Sequence, residues 1–244
     1  MNIGTVVEGT TDELVLKAVI GHLYPGQHRF FPLQPISVHS ERGNGWKGVR
    51  RWCKETWQRA SSDLEKIISA DTGSPLDLLV IMLDADIGAE RDLQDDDLID
   101  PIRGVQPICP PIAATVEKLE QVVCRWLQLP ADQLSAEVLL VFPAQDLENW
   151  TFAALYSDDP LCENPDYECI HQEHDRDRHP AYRLTLKKYG KCLRRRGSTI
   201  RKSVSKYRLL IPQITANWSQ VCRICTQAQH FEDDLRAKFG DVVD

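Results

Sequence analysis

No apolar run in this 244-residue chain approaches the roughly 18 residues that a membrane-spanning helix needs, so no membrane span is expected. The opening residues, MNIGTVVEGTTDE, have no basic region ahead of their apolar stretch, so no secretion signal is expected and the chain is read as cytoplasmic. Internal repeats and low-complexity tracts are also missing, which sets solenoid and fibrous architectures aside. Close cysteine pairing occurs once, at Cys222 and Cys225, whereas a structural zinc site ordinarily shows two paired halves. A zinc site would have to borrow from Cys162, Cys169, His171 or Cys192; the eight cysteines are instead expected as reduced thiols, with Cys222 and Cys225 as small core residues one helical turn apart. Acid is absent from a long stretch: between His179 and Phe231 there is no Asp or Glu, yet twelve of the 29 basic residues fall there. The remainder, with 17 basic and 36 acidic residues, carries −19. A whole-chain pI of about 5.5 argues against nucleic acid, but the segregated basic block argues for it.

What is present reads as an α/β protein. The hydrophobic share of 42% and charged share of 27% suit a soluble globular chain long enough to bury an ordinary core. Residues 2–7 read as a strand, and 11–23 as a helix with Leu14, Leu16, Ala18, Val19 and Leu23 mostly on one face. Thr10 with Glu13 three residues on forms a capping box. A second strand is expected at Pro35–Val38, followed by a loop with glycines at 43, 45 and 48 that fits no phosphate-loop pattern. Residues 46–69 show Trp46, Val49, Cys53, Trp57, Ala60, Leu64 and Ile68 at helical steps, read as core rather than as a base-stacking stripe. Leu78–Leu83 is a continuous apolar run without alternation, the mark of a strand buried on both faces. Residues 113–127 read as a helix, 137–142 as a fourth buried strand and 147–156 as another helix. Strands alternating with helices imply right-handed crossovers and a four-stranded, mainly parallel sheet flanked by helices. Composition changes at 157–160, which suggests a domain over 1–156 and a smaller, basic, mostly helical region over 157–244, with helices near 182–195, 199–211 and 213–238.

The chemistry-bearing residues stand where strands end. Glu8 and Gly9 follow the first strand, and Asp84 and Asp86 follow the third. If the chain stays extended past Leu83, both aspartates leave the strand on one side, at the carboxyl edge where open α/β sheets place ligands. If the two strands are neighbours, Glu8, Asp84 and Asp86 converge, and carboxylates held so close call for a hard divalent cation between them. Glu90, Asp92, Asp95, Asp96, Asp97 and Asp100 read as a solvated loop near that site rather than as further ligands. His171, His174 and His179 lie in a polar linker with no diagnostic spacing. Glu148, near the start of its helix, is on position alone either a ligand or a favourable charge at a helix N-terminus.

An E-G pair after a first strand, with D-x-D after a later buried strand, resembles the Toprim catalytic domain of topoisomerases, bacterial primases, OLD-family nucleases and related small nucleases. The matching residues are Glu8, Gly9, Asp84 and Asp86, and PAQDLENW at 143–150 resembles the glutamate-tryptophan segment of small Toprim-like proteins. The resemblance spans about residues 1–156. It implies a Toprim-like fold, Glu148 as a fourth carboxylate and a complex with an ABC- or SMC-type ATPase in anti-phage defence. It also implies Glu8 as either metal ligand or general acid and base.

Phosphodiester hydrolysis with Mg²⁺ or Mn²⁺ suits this inventory: such an ion activates water and stabilises the leaving oxyanion. Lys187, Lys188, Lys202 and Lys206 are candidates for a cation beside the scissile phosphate, with Lys206 the single residue expected to be catalytic. The wider block, Lys187, Lys188, Lys191, Arg194, Arg195, Arg196, Arg201, Lys202, Lys206 and Arg208, is expected to bind nucleic-acid backbone, DNA or RNA. No topoisomerase tyrosine region or primase zinc domain fits the remaining length, so the expectation is a nuclease effector domain; a homo-oligomer is left open. The rival reading is a non-catalytic module that binds nucleic acid or a partner and keeps the carboxylates as a structural metal site. A phosphatase using D-x-D is a lesser rival, since that class places the motif after its first strand.

Overall fold

The computed structural model describes residues 1–35, 44–60, 72–89, 109–130, 132, 134–171, 175–196 and 199–240. They form β1 (Asn2–Val6), α1 (Thr10–Leu23), β2 (Arg29–Gln34), α2 (Trp46–Ala60), β3 (Leu78–Met82), α3 (Ala113–Trp126), β4 (Val138–Val141) and α4 (Glu148–Leu155). There follow α5 (Pro180–Arg183), β5 (Arg194–Arg196), β6 (Thr199–Arg201), α6 (Val204–Ala216), α7 (Trp218–Ile224) and α8 (Thr226–Phe239). Short 3₁₀ turns cover Ala85–Ala89, Tyr167–Cys169 and Lys187–Tyr189. The chain divides into two compact units: 1–9 with 26–142, and 10–25 with 143–244. The division differs from a cut at 156/157, because α1 and α4 group with the C-terminal segment. Among the described residues no helix is long and apolar enough to cross a membrane.

The first unit is built on an all-parallel sheet in the order β2-β1-β3-β4. Its inner strands β1 and β3 are almost wholly buried, which is why Leu78–Met82 reads as unbroken apolar sequence. β2 is an edge strand with partial exposure and carries Pro32, a residue that only an edge or a bulge tolerates; the register indeed shifts opposite Thr5 and Val6. It ends at Gln34, so the second strand lies earlier than the Pro35–Val38 expected from sequence; 36–38 fall outside the described residues. α2 buries Trp46, Val49, Trp52 and Cys53, and Trp46 stacks on Trp126 of α3 with ring centroids 6.5 Å apart. The part of this helix expected beyond residue 60, and the acidic stretch 90–108, also fall outside the described residues.

The second unit is mostly helical. α4 is buried along 148–154, and its Trp150 packs against Trp218 of α7 at 5.5 Å and Phe231 of α8 at 6.1 Å. Glu168 closes the N-terminus of α8, accepting the Gln227 amide at 3.1 Å and the Thr226 hydroxyl at 2.5 Å. Two helix expectations are corrected. Residues 182–195 hold the end of a one-turn helix, then a 3₁₀ turn closed by left-handed Gly190, then β5; and β6 occupies 199–201, so α6 starts only at Val204. The cause is cross-strand pairing of β5 with β6, which no helical periodicity can announce. α6 also runs through Pro212, forgoing one i→i−4 bond, and the chain breaks at Asn217 and Cys225 instead.

Cys53, Cys124, Cys162, Cys192, Cys222 and Cys225 are free thiols, whereas Cys109 and Cys169 are disulfide-bonded, correcting the expectation of eight reduced cysteines. Burial raises the thiols of Cys222 and Cys225, which keeps them protonated.

Gly4 sits at the centre of the sheet. A Cβ there would lie 2.5 Å from Cδ1 of Leu76, 3.1 Å from that of Leu33 and 3.2 Å from that of Leu79. Gly4→Val is therefore expected to destabilise the protein by about 1–3 kcal/mol despite valine's better strand propensity, read by urea unfolding. An unchanged midpoint would contradict this packing.

Candidate functional site

In the first unit, parallel pairing brings the carboxyl ends of β1 and β3 to one edge in a fixed register, with Val6 beside Ile81. The ladder continues one residue on each: Val7 donates to the Gln34 carbonyl at 2.9 Å and Leu83 to the Val141 carbonyl at 3.0 Å. Immediately beyond, the Asp84 amide donates to Glu8 Oε1 at 2.9 Å. Gly45, in the left-handed region at φ 74°, donates its amide to the Glu8 carbonyl at 2.9 Å, and a Cβ there would stand 3.8 Å from Glu8 Oε2. The loop glycine thus belongs to the surroundings of Glu8.

Asp84 is 8% exposed, and Asp86 is half-buried. The extended geometry expected for the D-x-D pair is corrected: β3 ends at Met82, and after Asp84 the chain turns into the 3₁₀ segment Ala85–Ala89, where Ile87 donates to the Asp84 carbonyl at 3.4 Å. Glu8 and Asp84 are therefore brought together, while Asp86 lies within the turn. Among the described residues, no group of three or more His, Cys, Asp or Glu is placed to hold a metal ion. The donor chemistry of Glu8 and Asp84 nonetheless fits Mg²⁺, which takes one or two carboxylates and completes its shell with waters and substrate phosphate.

In the second unit, Glu148 opens α4 with 1% exposure. Its Oε1 accepts a short hydrogen bond from the Tyr207 hydroxyl of α6, and its Oε2 lies 2.8 Å from Lys202 Nζ. The same ammonium lies 3.6 Å from Oδ1 of Asp12, a buried residue in the first turn of α1. Burial, with the Glu148 charge second, raises the Tyr207 phenol, so it stays protonated and donates. His179, just ahead of α5, is pushed down to about 4: burial outweighs the opposing pull of Glu148 and is helped by His171. Its ring is neutral near pH 7, so the 3.9 Å approach of Nε2 to Asp146 is not an ion pair at that pH. Asn149 is fully buried with neither amide atom hydrogen-bonded to a described residue.

The basic block is spread over several elements. Lys187, Lys188 and Lys191 are exposed near the last 3₁₀ turn, Arg194, Arg195, Arg196 and Arg201 lie on β5 and β6, and Arg208 is exposed on α6. Lys206 donates to the Lys191 carbonyl at 2.6 Å, Lys202 lies against Glu148 and Asp12, and Lys188 lies 3.9 Å from Asp159. Sequence reasoning missed Asp12, Asp146, Tyr207 and the neutral His179. Asp12 shows only as an acid in the first turn of a helix, between Thr11 and Glu13, which does not announce its burial. Comparison with protein-family models, with curated proteins and with solved structures found no match for this chain.

Lys202, with its side chain 30% exposed, compensates two buried carboxylates. Lys202→Met is expected to cost roughly 2–4 kcal/mol in urea unfolding, part of it recovered when Glu148→Gln is added. The unfolded imidazole of His179 takes its proton near pH 6.5, the folded one only near pH 4. The unfolded chain binds more protons in that window, so stability is intact above about pH 6.5 and falls by up to roughly 3 kcal/mol as pH drops to 4. His179→Gln is expected to remove that part of the acid sensitivity; parallel stability–pH curves for variant and wild type would refute the assignment.

Proposed function

We propose that the chain is a divalent-metal-dependent nuclease hydrolysing phosphodiester bonds in DNA or RNA, a Toprim-like effector. The observation that carries the reading is the Glu8 carboxylate held by the Asp84 amide at the carboxyl edge of two central parallel strands. Glu8 and Asp84, with Asp86 close in sequence, would hold Mg²⁺ or Mn²⁺. Bound there, such an ion supplies an activated water and charge stabilisation at the phosphoryl group. The Asp84 amide fixes the Glu8 carboxylate through Oε1, so this side chain needs little reorganisation on binding. Burial of Asp84 lowers the local dielectric and strengthens its interaction with a cation. Glu148 has both oxygens engaged by Tyr207 and Lys202, which favours a structural role over metal ligation. The exposed basic residues of 187–208 supply backbone affinity. By the resemblance, an ABC- or SMC-type ATPase partner and a role in anti-phage defence complete the proposal.

A second reading is a non-catalytic nucleic-acid-binding module. It is favoured by the block of exposed arginines in the second unit, at 194–196, 201 and 208.

The deciding assay incubates the purified chain with plasmid, single-stranded DNA and bulk transfer RNA in Mg²⁺, Mn²⁺ or EDTA. Cleavage is expected only with metal, and Glu8→Gln and Asp84→Asn are each expected to reduce it by about 100-fold or more. Glu8→Gln still offers an oxygen to the Asp84 amide, so its loss would report charge rather than fold. Equal cutting by wild type and variants would sink the site; binding without cutting by any of the proteins would favour the module.

A further inference from the structure

β5 and β6 form a two-stranded antiparallel ribbon in which Arg194 faces Arg201, Arg195 faces Ile200 and Arg196 faces Thr199. Side chains alternate along a strand, and directly opposed residues share a face. One face therefore carries Arg194, Arg196, Arg201 and Thr199, the other Arg195 and Ile200. On the second face Arg195, itself exposed, lies over the Tyr182 ring at 5.5 Å, and Ile200 is half-buried. The first is exposed at all four positions. Among the described residues no carboxylate pairs with Arg194, Arg196 or Arg201, and the flanking sequence from 179 to 231 contains none. Arg194 and Arg201 are like charges directly opposed, an arrangement that destabilises a ribbon of three-residue strands unless an anion relieves it.

We propose that this arginine face docks onto double-stranded DNA, with the ribbon laid in the major groove. The inference deepens the nucleic-acid reading above and rests on it, but it does not require cleavage. A two-stranded ribbon fits the major groove of B-form DNA, about 12 Å wide, whereas the major groove of A-form RNA is too deep and narrow for it. Alternate residues on a strand stand about 7 Å apart, so Arg194 and Arg196 reach successive positions along one groove wall. Guanidinium forks bind phosphate oxygens bidentately. The exposed face has no aromatic residue, and so lacks the stacking platform on which single-strand binders depend.

The test measures fluorescence anisotropy of a short DNA duplex, the matching single strand and an RNA duplex with the full chain in EDTA across a salt series. The expected result is tightest binding to duplex DNA. The triple variant R194Q/R196Q/R201Q is expected to lower the slope of log affinity against log salt by roughly 2 to 3. The charge-matched triple K187Q/K188Q/K191Q is expected to change it less. An unchanged or raised thermal midpoint in the arginine variant keeps misfolding apart from lost contacts, since removing opposed like charges does not weaken the ribbon. Failure of the wild type to bind, preference for the single strand or the RNA duplex, or equal losses in the two triples would each overturn the proposal. Because EDTA suppresses metal-dependent cleavage, failure of the ribbon appears in anisotropy, whereas failure of the hydrolytic reading appears only in the Asp84→Asn cleavage assay.

Discussion

Parallel pairing of β1 with β3 is the constraint on which the first unit depends. It aligns two strand ends that are 76 residues apart in sequence, Glu8 and Asp84. Both strands are buried on both faces, so neither can slip by one residue without moving polar groups inward. The ladder stops at Val7 and Leu83, and the next amide, that of Asp84, is satisfied by a carboxylate instead of a carbonyl. The candidate site is thus a consequence of how the sheet terminates.

The second unit solves a different electrostatic problem. Asp12 and Glu148 are buried on separate helices, and burying two carboxylates without a cation would be strongly unfavourable. Lys202 supplies that cation by running its aliphatic stem inward from the end of β6, while Tyr207 supplies a neutral donor to the remaining Glu148 oxygen. His179 adds no charge to this network near pH 7, because desolvation outweighs the attraction of Glu148. Basic charge that the core does not use stays on the surface, concentrated on the β5–β6 ribbon and the adjoining turn.

The elements most legible in sequence were those whose pattern reflects a uniform environment. Leu78–Met82 and Val138–Val141 are buried on both faces and read as strands at once; α2 and α3 show clean helical stripes. The edge strand was misplaced because β2 mixes exposed and buried positions and contains Pro32. The ribbon was hidden because three consecutive arginines show no alternation, although Gly197-Ser198 between Arg196 and Thr199 is the kind of dipeptide that joins hairpin strands. Lys202 and Lys206 are four residues apart, a helical step, but they lie on opposite sides of a helix start, so their amines go to different partners.

Sequence by itself determined the α/β class, the parallel sheet, the positions of Glu8 and Asp84 at strand ends and the segregation of basic charge, because periodicity, burial runs and composition are local properties of the chain. Tertiary structure alone decided which carboxylates meet, that Asp86 sits in a turn, that Glu148 belongs to a lysine and a tyrosine, and that arginines 194–196 pair across a ribbon. Glu8 with Asp84, and Glu148 with Lys202 and Tyr207, are groups brought together from distant segments, and no local pattern encodes such a distance; the turn at Asp86 and the arginine ribbon are local, but apolar periodicity does not report them.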